Sequence, residues 1–252
     1  MIKIDRSTAP VELTPQVVAQ KTAEFKKDNT QRVWGENYIK KALLEMSHGK
    51  CCYCEREVNG NGSYMEVEHF HPKDIYPDEV VKWVNLLPSC KRCNVRKHTH
   101  DTYKEPIVDP SVDTPQAHLI LKNCFWFRAK DGIGQATIDV LSLADDEKLD
   151  IERMTASREI VKKVDEFFEL ANNLATGNLN RTTHLERKLQ NGIVQLLTAC
   201  QHDSPFTAVR VTTTLTDNHF TKLKDHMTNL GLWTQEMTDL EASMRPYLYD
   251  VV

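Results

Sequence analysis

The chain has 252 residues, of which 40% are hydrophobic and 27% are charged; these are values of an ordinary globular protein and exclude a disordered or fibrous one. Its formal net charge of −4 gives no long-range attraction for a polyanion, so any contact with nucleic acid has to be local. No apolar signal segment and no run of about 18 apolar residues occurs, so we expect a cytoplasmic protein without a membrane segment.

The first 47 residues are predicted to form an arm followed by two helices. Residues 1–13 are expected to be extended. Thr14 followed by Pro15 is typical of a helix start, because threonine caps the first turn and proline fits its first position. Apolar residues at helical spacing predict a second helix over about residues 36–46.

Four cysteines then stand in two C-x-x-C pairs, Cys51 with Cys54 and Cys90 with Cys93. Two such turns supply the tetrahedral thiolate set that zinc prefers, and in a reducing cytosol this spacing favours a metal over disulfides. A redox site would instead need one pair beside a βαβ pattern. The two-residue gap selects Cys51 rather than its neighbour Cys52 as the ligand.

The segment between the two cysteine pairs is predicted to form a hairpin. A turn signal at residues 59–63 precedes an alternating strand over residues 64–70. A second strand is predicted over residues 82–87, ended by Pro88, and a helix is predicted from there to about residue 97. Strand, strand and helix would thus surround one zinc ion.

The predicted helix forms the first part of a basic segment of ten residues, 91–100, which contains no acidic residue. A solvated helix face is the ordinary explanation of such a run. Because it overlaps the second cysteine pair, we interpret it as a nucleic-acid contact made by Lys91, Arg92, Arg96 and Lys97.

The remainder of the chain is predicted to be a connection followed by helices. Residues 103–116 are expected to be a loop, and residues 118–127 and 135–141 a pair of strands. From Asp145 onward, apolar residues recur at three- and four-residue steps. The predicted organisation is residues 1–47 (arm and helices), 48–102 (zinc-bound core), 103–144 (connection and hairpin) and 145–252 (helical region).

Four separated elements of residues 48–98 resemble the HNH endonuclease family in order and spacing. They are Cys51-x-x-Cys54-Glu55, Glu68-His69-Phe70-x-Pro72, Trp83-x-Asn85-Leu86-Leu87 and Cys90-x-x-Cys93-Asn94-x-x-Lys97. The resemblance implies an α+β fold class, with a zinc-stapled ββα-metal HNH core embedded in a mostly α-helical chain. It also implies a metal-dependent endonuclease that hydrolyses phosphodiester bonds.

The same resemblance implies a role for four residues. His69 corresponds to the general base that activates water, and Glu68 and Asn94 correspond to ligands of a catalytic Mg²⁺ or another divalent cation. Asn85 corresponds to the asparagine that braces the loop between the strands and orients the histidine.

Strand geometry leaves the metal ligands and the base undecided, because alternation places Glu68 and His69 on opposite faces of a regular strand. His98 stands four residues after Asn94 and is an alternative metal ligand. His71 lies on the same side of the strand as His69 and is an alternative base or substrate contact.

A second resemblance extends weakly over most of the chain, to the PtuB nuclease subunits of Septu-type anti-phage systems. It rests on Ile2-Lys3-Ile4, Leu43, Gly49-Lys50-Cys51-x-Tyr53-Cys54-Glu55 and Thr137-Ile138-x-x-Leu141-x-Leu143. This family implies an ABC-type ATPase subunit (PtuA-like) as partner. Some members accompany a retron, so a retron reverse transcriptase and its DNA are further candidate partners. The helical second half is then either a docking surface or a plain scaffold.

Two other functions are compatible with the sequence. A non-catalytic zinc module that only binds nucleic acid needs the cysteines and the basic helix but has no use for Glu68 and His69. A stand-alone restriction-type nuclease would cut duplex DNA without a partner.

Overall fold

The computed structural model describes residues 1–60 and 63–252. Its backbone forms two compact units, one of residues 1–119 with 127–146 and one of residues 120–126 with 147–252. The finer division into four segments stays a prediction.

The first unit begins with an irregular arm and two helices, α1 (Pro15–Lys27) and α2 (Asn37–Met46). The Thr14 hydroxyl accepts a hydrogen bond from the Val17 backbone N–H at 3.3 Å, which caps α1 as the sequence predicts. α2 buries a stripe at three- and four-residue spacing, formed by Ile39, Leu43 and Met46. Both predicted helices are therefore present; α1 starts at the predicted residue, and the bounds of α2 agree within one residue.

A three-stranded antiparallel sheet follows, in the order β1 (Asn59–Gly60), β2 (Ser63–His69) and β3 (Leu86–Cys90). The register pairs Met65 with Cys90 and His69 with Leu86, and helix α3 (Lys91–Lys97) continues directly from β3. The predicted strand–strand–helix order and the α+β class are confirmed.

The predicted position of the second strand is wrong by several residues. Trp83–Asn85 is a 3₁₀ turn, and β3 runs through Pro88 instead of ending before it. β3 is an edge strand among the described strands, so the missing N–H of proline is tolerated there. Within the predicted turn at residues 59–63, Asn61 and Gly62 lie outside the described residues.

The connection after the core also differs from its prediction. A short helix, α4 (Pro115–His118), leads into a hairpin of β4 (Leu119–Lys122) and β5 (Trp126–Ala129), and α5 (Gly132–Leu141) replaces the second predicted strand. The Asp131 side chain accepts from the Gly134 N–H at 2.8 Å and caps α5. The segment between the two predicted strands is thus a helix start.

The second unit is built mainly from five helices: α6 (Glu147–Ala175), α7 (Thr183–Thr198), α8 (Thr207–Thr216), α9 (Asn218–Asn229) and α10 (Gln235–Met244). Their buried faces share one apolar core that includes Val164, Phe167, Leu196 and Leu223. Sequence analysis missed α8 because it is rich in β-branched residues, which have weak helix propensity. Within the described part of the chain, no helix has the length and apolarity that crossing a bilayer requires.

Candidate active site and metal centre

The four predicted cysteines converge in the first unit. All four side chains are buried, and their sulfur atoms lie within 4.8 Å of one another. Thiolates about 2.3 Å from a tetrahedral zinc ion stand about 3.8 Å apart, and the Cys54 Sγ to Cys90 Sγ distance is 3.7 Å. The donor atoms and their spacing fit one zinc ion, so the clustering predicted from sequence is confirmed. We call these residues the four-cysteine cluster: Cys51, Cys54, Cys90 and Cys93.

Local backbone geometry brings the two cysteine pairs into the cluster. Cys90 is the N-cap of α3, and its sulfur accepts from the Cys93 N–H at 3.5 Å. In the first pair, the chain turns back at Glu55, whose φ is +63° and whose N–H donates to the Cys51 carbonyl. Cys52 stays outside the cluster. Burial raises the pKa of its thiol well above the usual value, as expected for a protonated core cysteine.

His69, the last residue of β2, has a buried ring in a fixed orientation. Its Nε2 lies 2.8 Å from the Val80 carbonyl oxygen, so Nε2 carries the proton and donates it, and Nδ1 is the unprotonated nitrogen. The Trp34 ring meets it edge-on at a centroid distance of 4.9 Å. Burial lowers the pKa of His69 to about 4. The imidazole is therefore neutral near pH 7, and its tautomer is set by a backbone contact.

A cavity of about 480 Å³, which we call the His69 cavity, lies beside this ring. Its walls come from the segment between α1 and α2, from α2, from β2 and the turn after it, and from α3. They combine several cationic side chains with polar groups and one carboxylate. The lining residues are Asn29, Thr30, Arg32, Trp34, Gly35, Lys40, Met65, Glu66, Val67, His69, Lys73 and Asn94.

Asn94 and Glu66 provide oxygen atoms in this cavity. The Asn94 Nδ2 donates to the Glu66 Oε2 at 2.6 Å, which leaves the Asn94 Oδ1 as its acceptor atom. Amide and carboxylate oxygens are the ligands that hard cations such as Mg²⁺ prefer. Sequence analysis assigned Asn94 but missed Glu66, because the family motif directs attention to the acid adjacent to the histidine. Strand alternation gave no signal for it, because alternation alone places Glu66 on the same face as Glu68 and opposite His69.

Glu68 does not line this cavity, although Glu66 of the same strand does. It is 2% exposed, and its Oε1 lies 2.7 Å from the ammonium nitrogen of Lys97, which also donates to the His69 carbonyl at 2.8 Å. Burial raises the pKa of Glu68 to about 7 in spite of this ammonium. The structure thus brings His69 and Asn94 into one cavity and leaves Glu68 outside its lining.

Asn85 joins the segments on either side of the hairpin turn. Its Oδ1 accepts from the His71 N–H at 2.7 Å, and its Nδ2 donates to the carbonyls of His71 and Glu79 at 3.0 and 3.2 Å. Its own carbonyl accepts from the Phe70 N–H. Three of these four hydrogen bonds hold Phe70 and His71, the backbone that immediately follows His69, and the fourth joins Glu79 to it.

The two alternative histidines do not line the His69 cavity. His71 Nδ1 lies 2.7 Å from the Thr102 hydroxyl, and its ring stacks on Tyr103 at 3.7 Å. His98 follows the end of α3 with a φ of +48°, so the helical spacing to Asn94 on which its prediction depended does not hold. Its side chain is exposed beside Thr99.

The basic residues of α3 divide into two groups. Arg92 donates to the Asp146 carboxylate at 2.6 Å and to the carbonyls of Leu141 and Ser142. Lys97 is buried against Glu68. Only two of the four predicted nucleic-acid contacts, Lys91 and Arg96, present an exposed side chain.

Comparison with known proteins agrees with this geometry. The model of the HNH endonuclease family matches residues 51–100, which contain β2, β3, α3 and the four-cysteine cluster, so the chain carries an HNH endonuclease domain. It is 42% identical over 236 residues to the Septu protein PtuB of Bacillus thuringiensis, covering 94% of this chain and 90% of that protein. A Septu protein PtuB of Bacillus mycoides (strain KBAB4) is 31% identical over 209 residues, or 65% of this chain and 70% of that protein. The chain belongs to the PtuB family, and both resemblances found in the sequence are confirmed.

Proposed function

We propose that this chain is an endonuclease that hydrolyses phosphodiester bonds of nucleic acid as the nuclease effector of an anti-phage complex. The observation that carries the proposal is the neutral His69 ring, whose Nε2 is occupied by a backbone carbonyl and which lines a cavity with several cations. Its place within the matched HNH segment supports the same reading.

His69 is the general base in this proposal. Its Nδ1 takes a proton from water, the water oxygen forms a bond to phosphorus, and the bond from phosphorus to the leaving 3′ oxygen breaks. A bound phosphate is an opposite charge, so it raises the pKa of His69 from its low value toward the range useful for a base. Asn85 acts as a positioning residue, since it fixes the backbone on the carboxyl side of His69.

Two kinds of metal ion fit the residues present. Zinc would be held by the four-cysteine cluster and would have a structural role. A divalent cation such as Mg²⁺ would offset charge on the phosphate and the leaving oxygen. We propose Asn94 as one ligand of that cation. Glu66 is the carboxylate that shares its cavity, whereas the motif resemblance points to Glu68.

The implied partner is the ABC-type ATPase subunit of a Septu system, a PtuA-like protein. Both relatives are named as Septu proteins, so the proposed complex includes this subunit and no retron component. The helical residues 145–252 are the proposed docking region.

The test is an Mg²⁺-dependent cleavage assay of the purified chain, with and without the ATPase, on matched DNA and RNA in single-stranded and duplex form. We expect cleavage of at least one substrate by the complex. Binding without cleavage under every condition would favour the non-catalytic zinc module. Full activity on duplex DNA without the ATPase would favour the stand-alone nuclease.

A further inference from the structure

Basic side chains from three separate segments meet in the His69 cavity. Arg32 lies between α1 and α2, Lys40 lies on α2, and Lys73 follows β2. They lie outside the basic helix that the sequence singled out, although Asn94 of that helix lines the same cavity, and none of them belongs to the four-cysteine cluster.

Neighbouring acids neutralise only part of the positive charge of these three side chains. Within residues 1–60 and 63–252, neither Arg32 nor Lys40 has a carboxylate partner, and both are exposed. Lys73 lies 2.9 Å from the carboxylate of the adjacent Asp74 and 5.3 Å from the centre of the Trp34 ring, which restricts its position. Glu66 is the single acidic residue of the described lining.

The cavity is therefore a locally cationic site in a chain whose net charge is −4. Such a site attracts a polyanion only over a short distance, and the His69 ring forms part of the same wall. In contrast, Arg92 and Lys97 of α3 already have protein partners.

We propose that Arg32, Lys40 and Lys73 bind the phosphodiester backbone of nucleic acid and hold a phosphate beside His69. This inference rests on the proposed function for the identity of the ligand. It assigns backbone recognition to Arg32 and Lys40, which precede the HNH core, and to Lys73 within it. Lysine and arginine contacts to phosphate carry no sequence information.

The test measures binding of fluorescein-labelled DNA and RNA oligonucleotides, single-stranded and duplex, to the zinc-loaded chain by anisotropy over a series of salt concentrations. Mg²⁺ is omitted to prevent cleavage, and no chelator is added. The variant is Arg32→Gln with Lys40→Gln. The matched control is Lys41→Gln, because Lys41 is the next residue of α2, is highly exposed and does not line the cavity.

We expect the double variant to bind on the order of tenfold more weakly. The slope of log K against log salt should fall by about 1.4–1.8, since each phosphate contact contributes about 0.7–0.9. Lys41→Gln should change neither quantity. A second comparison, Lys91→Gln with Arg96→Gln, should lower the slope by much less.

Three results would overturn the inference. They are an unchanged salt slope in the Arg32 and Lys40 variant, an equal loss of affinity in the Lys41 control, and no binding of oligonucleotide by the parent chain. Failure of this inference and failure of the proposed function give different results. Cleavage by a protein that does not bind through these residues removes only the inference. Binding through them without cleavage by the complex removes only the nuclease assignment.

Discussion

At the scale of single residues, β2 carries two carboxylates with different surroundings. Glu66 lies in the His69 cavity beside Asn94, and Glu68 is buried against Lys97. A carboxylate that is paired and buried is poorly placed to exchange its partner for a hydrated cation, because both charges would first have to be separated. Replacing glutamate by glutamine should therefore have different effects at the two positions.

We predict opposite effects of Glu66→Gln and Glu68→Gln. Glu66→Gln should weaken binding of Mn²⁺, used as a probe for the catalytic cation, and leave the free energy of unfolding nearly unchanged. At a pH above the Glu68 pKa of about 7, where this carboxylate is ionised, Glu68→Gln leaves the buried Lys97 ammonium without its counter-charge and should lower that free energy by roughly 3 kcal/mol. Mn²⁺ titration calorimetry and urea unfolding of both variants decide this. Loss of Mn²⁺ binding in Glu68→Gln alone would restore the assignment taken from the motif.

At the scale of elements, the four-cysteine cluster joins the turn before β1 to the start of α3. Closing this long loop with one metal ion makes the energy of metal binding part of the folding energy of the hairpin. Substituting a cluster residue should therefore affect metal binding and the folding of the hairpin, whereas substituting its neighbour Cys52 should not.

We predict that Cys54→Ala loses the bound zinc and that β2, β3 and α3 lose protection against amide hydrogen exchange. Cys52→Ala should retain zinc and this protection, because Cys52 is a core residue outside the cluster. Metal content and exchange measured by mass spectrometry give the comparison. Normal protection of the hairpin in zinc-free Cys54→Ala would contradict a structural role of the ion.

The start of α5 offers a second matched pair at this scale. A Cβ at Gly134 would stand 2.0 Å from the His118 carbonyl oxygen, whereas one at Gly132 would meet nothing within 4 Å. We predict that Gly134→Ala lowers the free energy of unfolding by about 1–3 kcal/mol through overpacking. Gly132→Ala should change it by less than about 0.5 kcal/mol. Equal changes in the free energy of unfolding of the two variants, measured by thermal or urea unfolding, would show that this close approach does not constrain the fold.

How far sequence predicts structure here depends on how local the signal is. The cysteine spacing and the Thr14-Pro15 helix start are local, and both predictions hold. The strand assignment around Asp131 fails because one aspartate can begin a turn or cap a helix, and the close packing of Gly134 against His118 becomes visible only in three dimensions.

The His69 cavity was beyond sequence analysis for a related reason. The segment with Arg32 and the residue Lys40 precede the HNH motif, and nothing in their own spacing indicates a common site with Lys73. Tertiary packing assembles them. The basic helix was the stronger sequence signal, yet half of its predicted contacts are occupied by neighbouring protein groups.

At the scale of the whole molecule, an acidic chain combines an HNH domain with a helical second unit. The net charge does not draw it to nucleic acid, so the proposed recognition depends on the cationic cavity and on the proposed ATPase partner. This arrangement is consistent with a nuclease that acts within a complex.

The most direct measurement of the central claim compares nucleic-acid cleavage by the parent complex with that by His69→Ala and His71→Ala complexes, in Mg²⁺ and on the substrate that the parent cuts. We predict that His69→Ala abolishes cleavage while zinc content and oligonucleotide binding stay close to parent values, and that His71→Ala retains measurable cleavage. Undiminished cleavage by His69→Ala, or its loss in His71→Ala alone, would contradict His69 as the general base.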